Sequence, residues 1–530
     1  MAAAPAAITI VLMLGLPDER RFSRQPKNPQ LDHLLRGGPG NTGRRAARDL
    51  AATAASWRAH ARFCSMPPLD LAAPAGAPAA FHITLADGPP MRIGVAEAGR
   101  PPRQYELPVF EQPAVFDLFE ALARDFRLRR PEARRAPPAG EGPRLGPLLT
   151  APVSPKILYG YGDPCVVRIA PDDYRLVVTS NDAPDAFPIL ASPDLKQWRL
   201  SGFVFPQGAA PAWALTGPGV SDFWAPELHR VGGEWIVCFS ARRHDRSLAI
   251  GLARSASPDG PFEPDEAPIL TGGVIDAHIL IDAAGLPWLV WKRDDNGVWP
   301  RVLGALLHRR PALARELFVS ETDLRTAAFT LTLWPWIAEQ EPMRQFFALQ
   351  PLIEAAAADL TAFEARLAAA LAKAPADERD ALARALATLH TRIYAQRLSP
   401  DARRLEGEPA VILQNDQAWE GHLIEGGWIT EHAGRYYLLY AGNDFSTAHY
   451  GIGAAVGETP LGPYRKAPQV FLRSSARWWG PGHPSVAVGP DGRPQIFLHA
   501  YRPHEAGYKA FRALLTAPLR FGRNGVRLET

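Results

Sequence analysis

The stretch "LIEGGWITEHAGRYYLLYAG" (Leu423–Gly442) decides how this chain is read. Trp428 and Ile429 form a short apolar run, Glu431-His432-Ala433-Gly434 supplies turn residues, and Tyr436 to Tyr440 is rich in the aromatics that favour a pleated strand. The stretch predicts a β-hairpin with Glu425 at a strand mouth. Gly426 and Gly427 carry no side chain, so a ligand or another strand can approach the backbone there.

Working outward, the same unit recurs. It appears as "DPCVVRIAPDDYRLVVTS", "PELHRVGGEWIVCFSA", "DAHILIDAAGLPWLVWK", "EGGWITEHAGRYYLLYA" and "HPSVAVGPDGRPQIFLHA". Each is a short strand, a turn rich in Gly, Asp or Pro, and a second apolar strand. The echoes "ASPDLKQW", "SASPDGPFEP" and "GETPLGPYRK" follow three of the five units. A repeated supersecondary unit that cannot bury both faces alone predicts a propeller, here a mainly β chain with five blades.

The step between Asp276 and Glu425 is much longer than the others. Its Ala- and Leu-rich segment, Leu352 to Arg397, carries charges at helical spacing, with "KAPADERD" as the break between two helices. The expected organisation is therefore blades one to three over 151–304, a helical insertion over 305–398 between blades three and four, and blades four and five over 399–530. Residues 1–150 read as an α/β accessory region: a helix from Arg44 to Phe63, strands at "FHITL" and "MRIGVAEA", a helix at "AVFDLFEALARDFRLRR", then a Pro/Gly-rich linker.

The 530 residues carry a formal net charge of +3, so composition gives no reason to expect a nucleic-acid partner. The N-terminal apolar stretch lacks a positive n-region and is too short to span a bilayer, so the expected compartment is the cytoplasm, with no membrane partner; a periplasmic or secreted location is the alternative. Cys64, Cys165 and Cys238 cannot build a disulfide framework, and the last two fall in apolar runs where a buried thiol is expected. The sequence sets no oligomeric state.

In a propeller the first strand of each blade lines the axis. Asp163, Glu227, Asp276, Glu425 and His483, taken as equivalent positions, should then form a ring. Carboxyl groups crowded into one cleft raise one another's pKa, which separates an acid from a base. Glycosidic hydrolysis needs that separation: one group protonates the departing oxygen and another activates water. Trp224, Trp428, Trp478 and Trp479 are candidate platforms for sugar rings, with ordinary packing as the alternative for each.

Together "YGDPCVV", "FWAPELHRVGGEWIVCFSA", "VIDAHILIDAAGLPWLVW", "LIEGGWITEHAGRYYLLYA" and "GPGHPSV" resemble glycoside hydrolase family 43, five-bladed enzymes that act on arabinose- and xylose-containing glycans. The resemblance covers about residues 156–525 apart from the insertion. It implies an inverting hydrolase of terminal α-L-arabinofuranosyl or β-D-xylosyl residues, with Asp163 as general base, Glu425 as general acid and Asp276 as the carboxylate that tunes and orients the acid. Glu425 is followed by Gly-Gly, where the family usually has Gly-Pro. The resemblance gives Glu227 a supporting role near substrate and His483 an axial place, where some members hold calcium through waters; no cofactor is required.

Two other readings stand beside this one. A fructan-cleaving hydrolase of the related fold would show Trp-Met-Asn-Asp-Pro and Arg-Asp-Pro motifs, which are missing here. A non-catalytic carbohydrate-binding propeller would have lost one of the three carboxylates, and all three are present.

Overall fold

The computed structural model describes residues 68–529 apart from 89, 136, 138, 139, 141, 218–220 and 524. The expected helix from Arg44 to Phe63, Cys64 and the N-terminal apolar stretch lie outside the described residues.

Four sheets of four antiparallel strands and a fifth of four plus one added strand follow one another in chain order, their successive strands running from residue 165 to residue 528. Each begins with one of the hairpins read from the sequence. The leading strands are Cys165–Ala170, Phe223–Val231, Val274–Ile281, Ile424–His432 and Trp479–Val488. Each packs against the leading strands before and after it, and the fifth returns to the first. The linker strand Gly146–Leu149 pairs with Ala513–Gly522 of the fifth sheet, which fastens the start of this array to its end. Cys165 and Cys238 are buried free thiols.

The mouths of the leading strands share a local irregularity. Register slips between Trp224 and Glu227, Ile275 and His278, and Glu425 and Trp428, and twice between Trp479 and Ser485. At each mouth one residue takes a positive φ: Asp163 (52°), Ala225 (47°), Asp276 (58°), Gly426 (56°) and His483 (50°). An extra residue in one strand bends it and redirects a side chain, and such bulges gather beside functional sites.

The helical segment sits elsewhere than the sequence suggested. Its helices run from Val298 to Ala387 and join the second strand of sheet three, Pro287–Arg293, to the third, Arg392–Leu398. The insertion is thus inside the third sheet and not between the third and fourth. The difference has a simple cause: "RIYAQRL" directly follows two helices in the sequence, yet it pairs with Trp288 to Lys292 as a strand. Among the described residues no single helix is long and apolar enough to cross a membrane.

Nor does the insertion stand apart from the N-terminal region. That region is a four-stranded antiparallel sheet, Leu69–Ala72 to Arg103–Leu107, covered by the helix Gln112–Phe126. Its "FHITLA" strand alternates in burial, with Phe81, Ile83 and Leu85 inward. Those residues belong to one apolar core with the inserted helices. Phe81 meets Phe329 edge-on at 5.5 Å, and Arg129 donates to Asp323 across 194 residues of sequence. This joint unit docks on the mouths of sheets four and five: Gln112 Nε2 donates to Ser446 Oγ at 2.6 Å, Tyr508 N donates to Gln112 Oε1 at 2.8 Å, and Asn443 Nδ2 donates to Glu132 Oε1 at 3.3 Å.

Candidate active site

The shared bulge gives a firmer alignment of the mouths than sequence motifs do. Asp163, Ala225, Asp276, Gly426 and His483 are equivalent positions. Glu425 precedes that layer by one residue. Glu227 lies two residues beyond its counterpart, in a deeper layer with Cys165, His278, Trp428 and Ser485. The expected ring of five equivalent markers is therefore two rings and an outlier, because the inserted residue shifts the strand periodicity.

Asp163 is held from several sides. Arg512 Nη1 donates to Oδ1 at 2.8 Å, the Thr179 hydroxyl donates to Oδ2, and Asp163 N donates to His499 Nδ1 at 3.1 Å. His483 Nδ1 lies 3.4 Å from Oδ1. Burial works against the charge, but Arg512, with His483, His499 and Thr179, outweighs it and holds the carboxyl far below the usual carboxylate range.

Asp276 reaches the strand that carries Glu425. Asp276 Oδ2 accepts from Gly426 N at 3.0 Å. Burial raises the Asp276 pKa to about 7, with the charges of Glu425 and Asp163 adding to the rise and those of His483 and Lys292 opposing it. Glu425 accepts from Lys292 Nζ at 3.1 Å and from the Tyr450 hydroxyl at 2.9 Å. Lys292 is itself buried; burial disfavours its charge, yet Glu425, Asp294 and Asp276 overcome this and raise its pKa. Burial and the same cluster of carboxylates push the Tyr450 phenol well above its ordinary value.

Gly426 also takes a different part from the one expected. A Cβ at this position would stand 2.9 Å from His483 Nδ1. The glycine makes room for the histidine and supplies the positive φ.

Lys292, Thr179, Ser240 and His499 were missed in the sequence, although a signal was there. They are the polar residues that end the apolar second strands "YRLVVT", "EWIVCFS", "PWLVWK" and "PQIFLH". They reach across to the neighbouring mouth: Thr179 accepts from Ala225 N at 2.8 Å, Ser240 from Asp276 N at 2.9 Å and His499 from Asp163 N at 3.1 Å, while Lys292 donates to Glu425. The strained positions are thereby pinned by adjacent sheets.

The deeper layer holds two of the expected site residues, Glu227 and Trp428. Glu227 Oε2 lies 2.8 Å from both His229 Nε2 and His278 Nδ1, a network with Glu227 and His278 buried and His229 partly so. Burial opposes its charge, but the two imidazoles outweigh this and bring its pKa down to about 2. Trp428 packs on that network, 4.5 Å from the His278 ring, with its Nε1 donating to Thr430 Oγ1 at 3.0 Å. Glu227 and Trp428 both lie buried two positions beyond the mouth layer. Trp224 remains partly exposed at its mouth, its Nε1 donating to Asn181 Oδ1 at 3.1 Å.

At the axial place expected for a water-held calcium, His483 Nδ1 faces Asp163 Oδ1 at 3.4 Å. Calcium takes roughly six to eight oxygen ligands. The Asp163 carboxylate is also engaged by Arg512 and Thr179.

Comparison with known proteins bears on this arrangement. The family model described as "Glycosyl hydrolases family 43" matches residues 152–310 and 378–526. The chain is 23% identical over 276 residues to xylosidase/arabinosidase 43A of Humicola insolens, a match covering 49% of this chain and 66% of that protein, just under two thirds of its length. Among solved structures, a thermostable family-43 glycoside hydrolase is 26% identical with a TM-score of 0.48, covering 70% of this chain and 93% of the other. An endo-arabinase from Bacteroides thetaiotaomicron is 19% identical with a TM-score of 0.44, covering 71% and 99%.

Proposed function

Because the chain belongs to glycosyl hydrolase family 43 and is a glycosidase, we propose that its five sheets are the blades of one propeller and that Asp163, Asp276 and Glu425 hydrolyse terminal α-L-arabinofuranosyl or β-D-xylosyl residues with inversion. The likeness to a xylosidase/arabinosidase supports a pentose as the sugar released.

The observation that carries this reading is electrostatic. Within one buried cluster, Asp163 is held ionised by Arg512, whereas the Asp276 pKa is raised to about 7 beside Glu425. Two carboxyl environments pushed apart in this way assign a base and a proton holder. In the proposed step Asp163 takes a proton from water, and the water oxygen bonds to the anomeric carbon. The bond to the departing oxygen breaks as Glu425 gives that oxygen a proton. Asp276, anchored by Gly426 N and Ser240, is raised to about 7 by burial and by the charges of Glu425 and Asp163, and so holds a proton near neutral pH beside Glu425. Lys292 and Tyr450 hold the two Glu425 oxygens in place.

The test is to incubate the protein with unactivated arabino- and xylo-oligosaccharides and follow the product anomer by proton NMR, with Asp163→Asn as control. Release of one terminal pentose with inverted configuration, lost in the control, is the expected result. A folded protein that turns over neither series would overturn the reading.

A further inference from the structure

The joint N-terminal and helical unit does more than lean on the propeller. Where it meets sheets four and five it encloses a cavity of about 390 Å³. The titratable side chains lining it are Arg130, Arg134, Arg135 and His504, and among the described residues no Asp or Glu lines it. Phe116 and Trp479 give it apolar walls, with the Trp479 ring 4.4 Å from that of His504.

The ion pairs of these arginines leave one sign of charge facing inward. Arg130 pairs with Glu120, and Arg134 Nη2 pairs with Asp117 at 2.7 Å and donates to Pro113 O at 2.8 Å; neither acid reaches the cavity wall. Arg134 Nε is buried with no hydrogen-bond partner, an unusual state for a guanidinium nitrogen. Arg135 Nη2 donates to Arg130 O at 2.9 Å. A planar guanidinium suits a carboxylate, and an aromatic wall suits a sugar face.

The cavity also lies beside the chemistry. Trp479 opens the strand that carries His483, four residues on and so at most about 13 Å away. Ser446, on its wall, lies in the loop leading to Tyr450, whose hydroxyl donates to Glu425.

We propose that this cavity is an aglycone subsite for a hexuronate, a sugar bearing a carboxylate, carried by the glycan from which the terminal pentose is removed. Arg134 and Arg135 bind the carboxylate, and Trp479 with Phe116 packs on the ring. The subsite role rests on the hydrolase reading above; the anion-binding role does not.

Two measurements on the full chain separate these. Binding of methyl glucuronoside and methyl glucoside is followed by saturation-transfer NMR and calorimetry. The uronoside binds and the glucoside does not, binding weakens as salt rises, and Arg135→Gln weakens it about tenfold, the loss of one charge-assisted hydrogen bond. Next, kcat/KM is compared for xylo-oligosaccharides with and without a glucuronate branch. The acidic-to-neutral ratio falls about tenfold in Arg135→Gln, and Trp479→Leu weakens uronoside binding without changing its salt dependence. Failure of the wild-type protein to bind the uronoside, or an unchanged ratio in a folded Arg135→Gln variant, overturns the proposal while leaving the hydrolase intact. Uronoside binding without hydrolysis of any oligosaccharide removes the hydrolase reading and keeps the anion site.

Discussion

Lys292 Nζ lies 3.1 Å from Glu425 Oε2, with the lysine buried and its pKa raised. A buried ammonium on the proposed acid also bears on Asp276, whose ionisation it favours. Lys292→Met keeps the stem and removes the charge, so Asp276 should titrate above its present value of about 7. The alkaline limb of the kcat/KM profile, measured on unactivated oligosaccharides, moves upward. A profile that stays in place would show that Lys292 acts on packing alone.

Asp276 itself makes the fold less stable as pH rises. Its folded pKa is raised from 3.8 to about 7, so between those values the folded state binds the extra proton and stability falls with increasing pH. Asp276→Asn should gain stability over the wild type progressively from about pH 4 to pH 7 and hold that gain above it, by on the order of 1 kcal/mol or more. Denaturant titrations at several pH values measure this, and activity falls in the same variant.

Asp163 has the opposite sign. Its folded pKa is depressed, so its contribution is present above the unfolded value near 3.8 and is lost as pH falls toward the folded value. Asp163→Asn leaves Arg512 buried without its carboxylate and should cost about 3 kcal/mol at pH 7, with the difference shrinking below pH 4. On unactivated substrates kcat falls roughly 10²- to 10⁴-fold, as expected for loss of a general base.

Gly426→Ala places a Cβ 2.9 Å from His483 Nδ1 at a φ of 56°. The backbone conformation alone costs about 1–2 kcal/mol. The variant should melt lower and lose activity, since His483 is pressed toward Asp163. A crystal structure or His483 imidazole NMR shifts would register the displacement.

Glu227→Gln removes the charge that joins His229 and His278, and should cost about 3–5 kcal/mol. Because Glu227 lies below the mouth, the loss appears in thermal unfolding, while kcat per folded molecule changes far less than in Asp163→Asn.

The hairpins were legible because their period of two, their aromatic second strands and their Gly-rich turns all agree locally. The equivalence of Glu227 and Glu425 with Asp163 was misread because a bulge adds a residue without leaving a mark in composition. A tryptophan such as Trp428 is the same letter in the sequence whether it faces a ligand or a ring such as that of His278, 4.5 Å away, so its packing was not legible there. Thr179, Ser240, Lys292 and His499 sit one strand away from the motifs, and their meaning depends on which sheets are neighbours. The shared core of the N-terminal sheet and the insertion joins segments some two hundred residues apart, beyond the reach of any local pattern.

That placement dictates an order of assembly. On a growing chain Phe329 and Asp323, which complete the core and the ion pairs of the N-terminal unit, follow its sheet only after two whole sheets and half of a third. The third sheet in turn waits for Arg392–Leu398, which arrives only after the last inserted helix. The core of the N-terminal sheet is thus completed long after its own strands are made, and until then the "FHITL" strand lacks the helices that bury Phe81, Ile83 and Leu85.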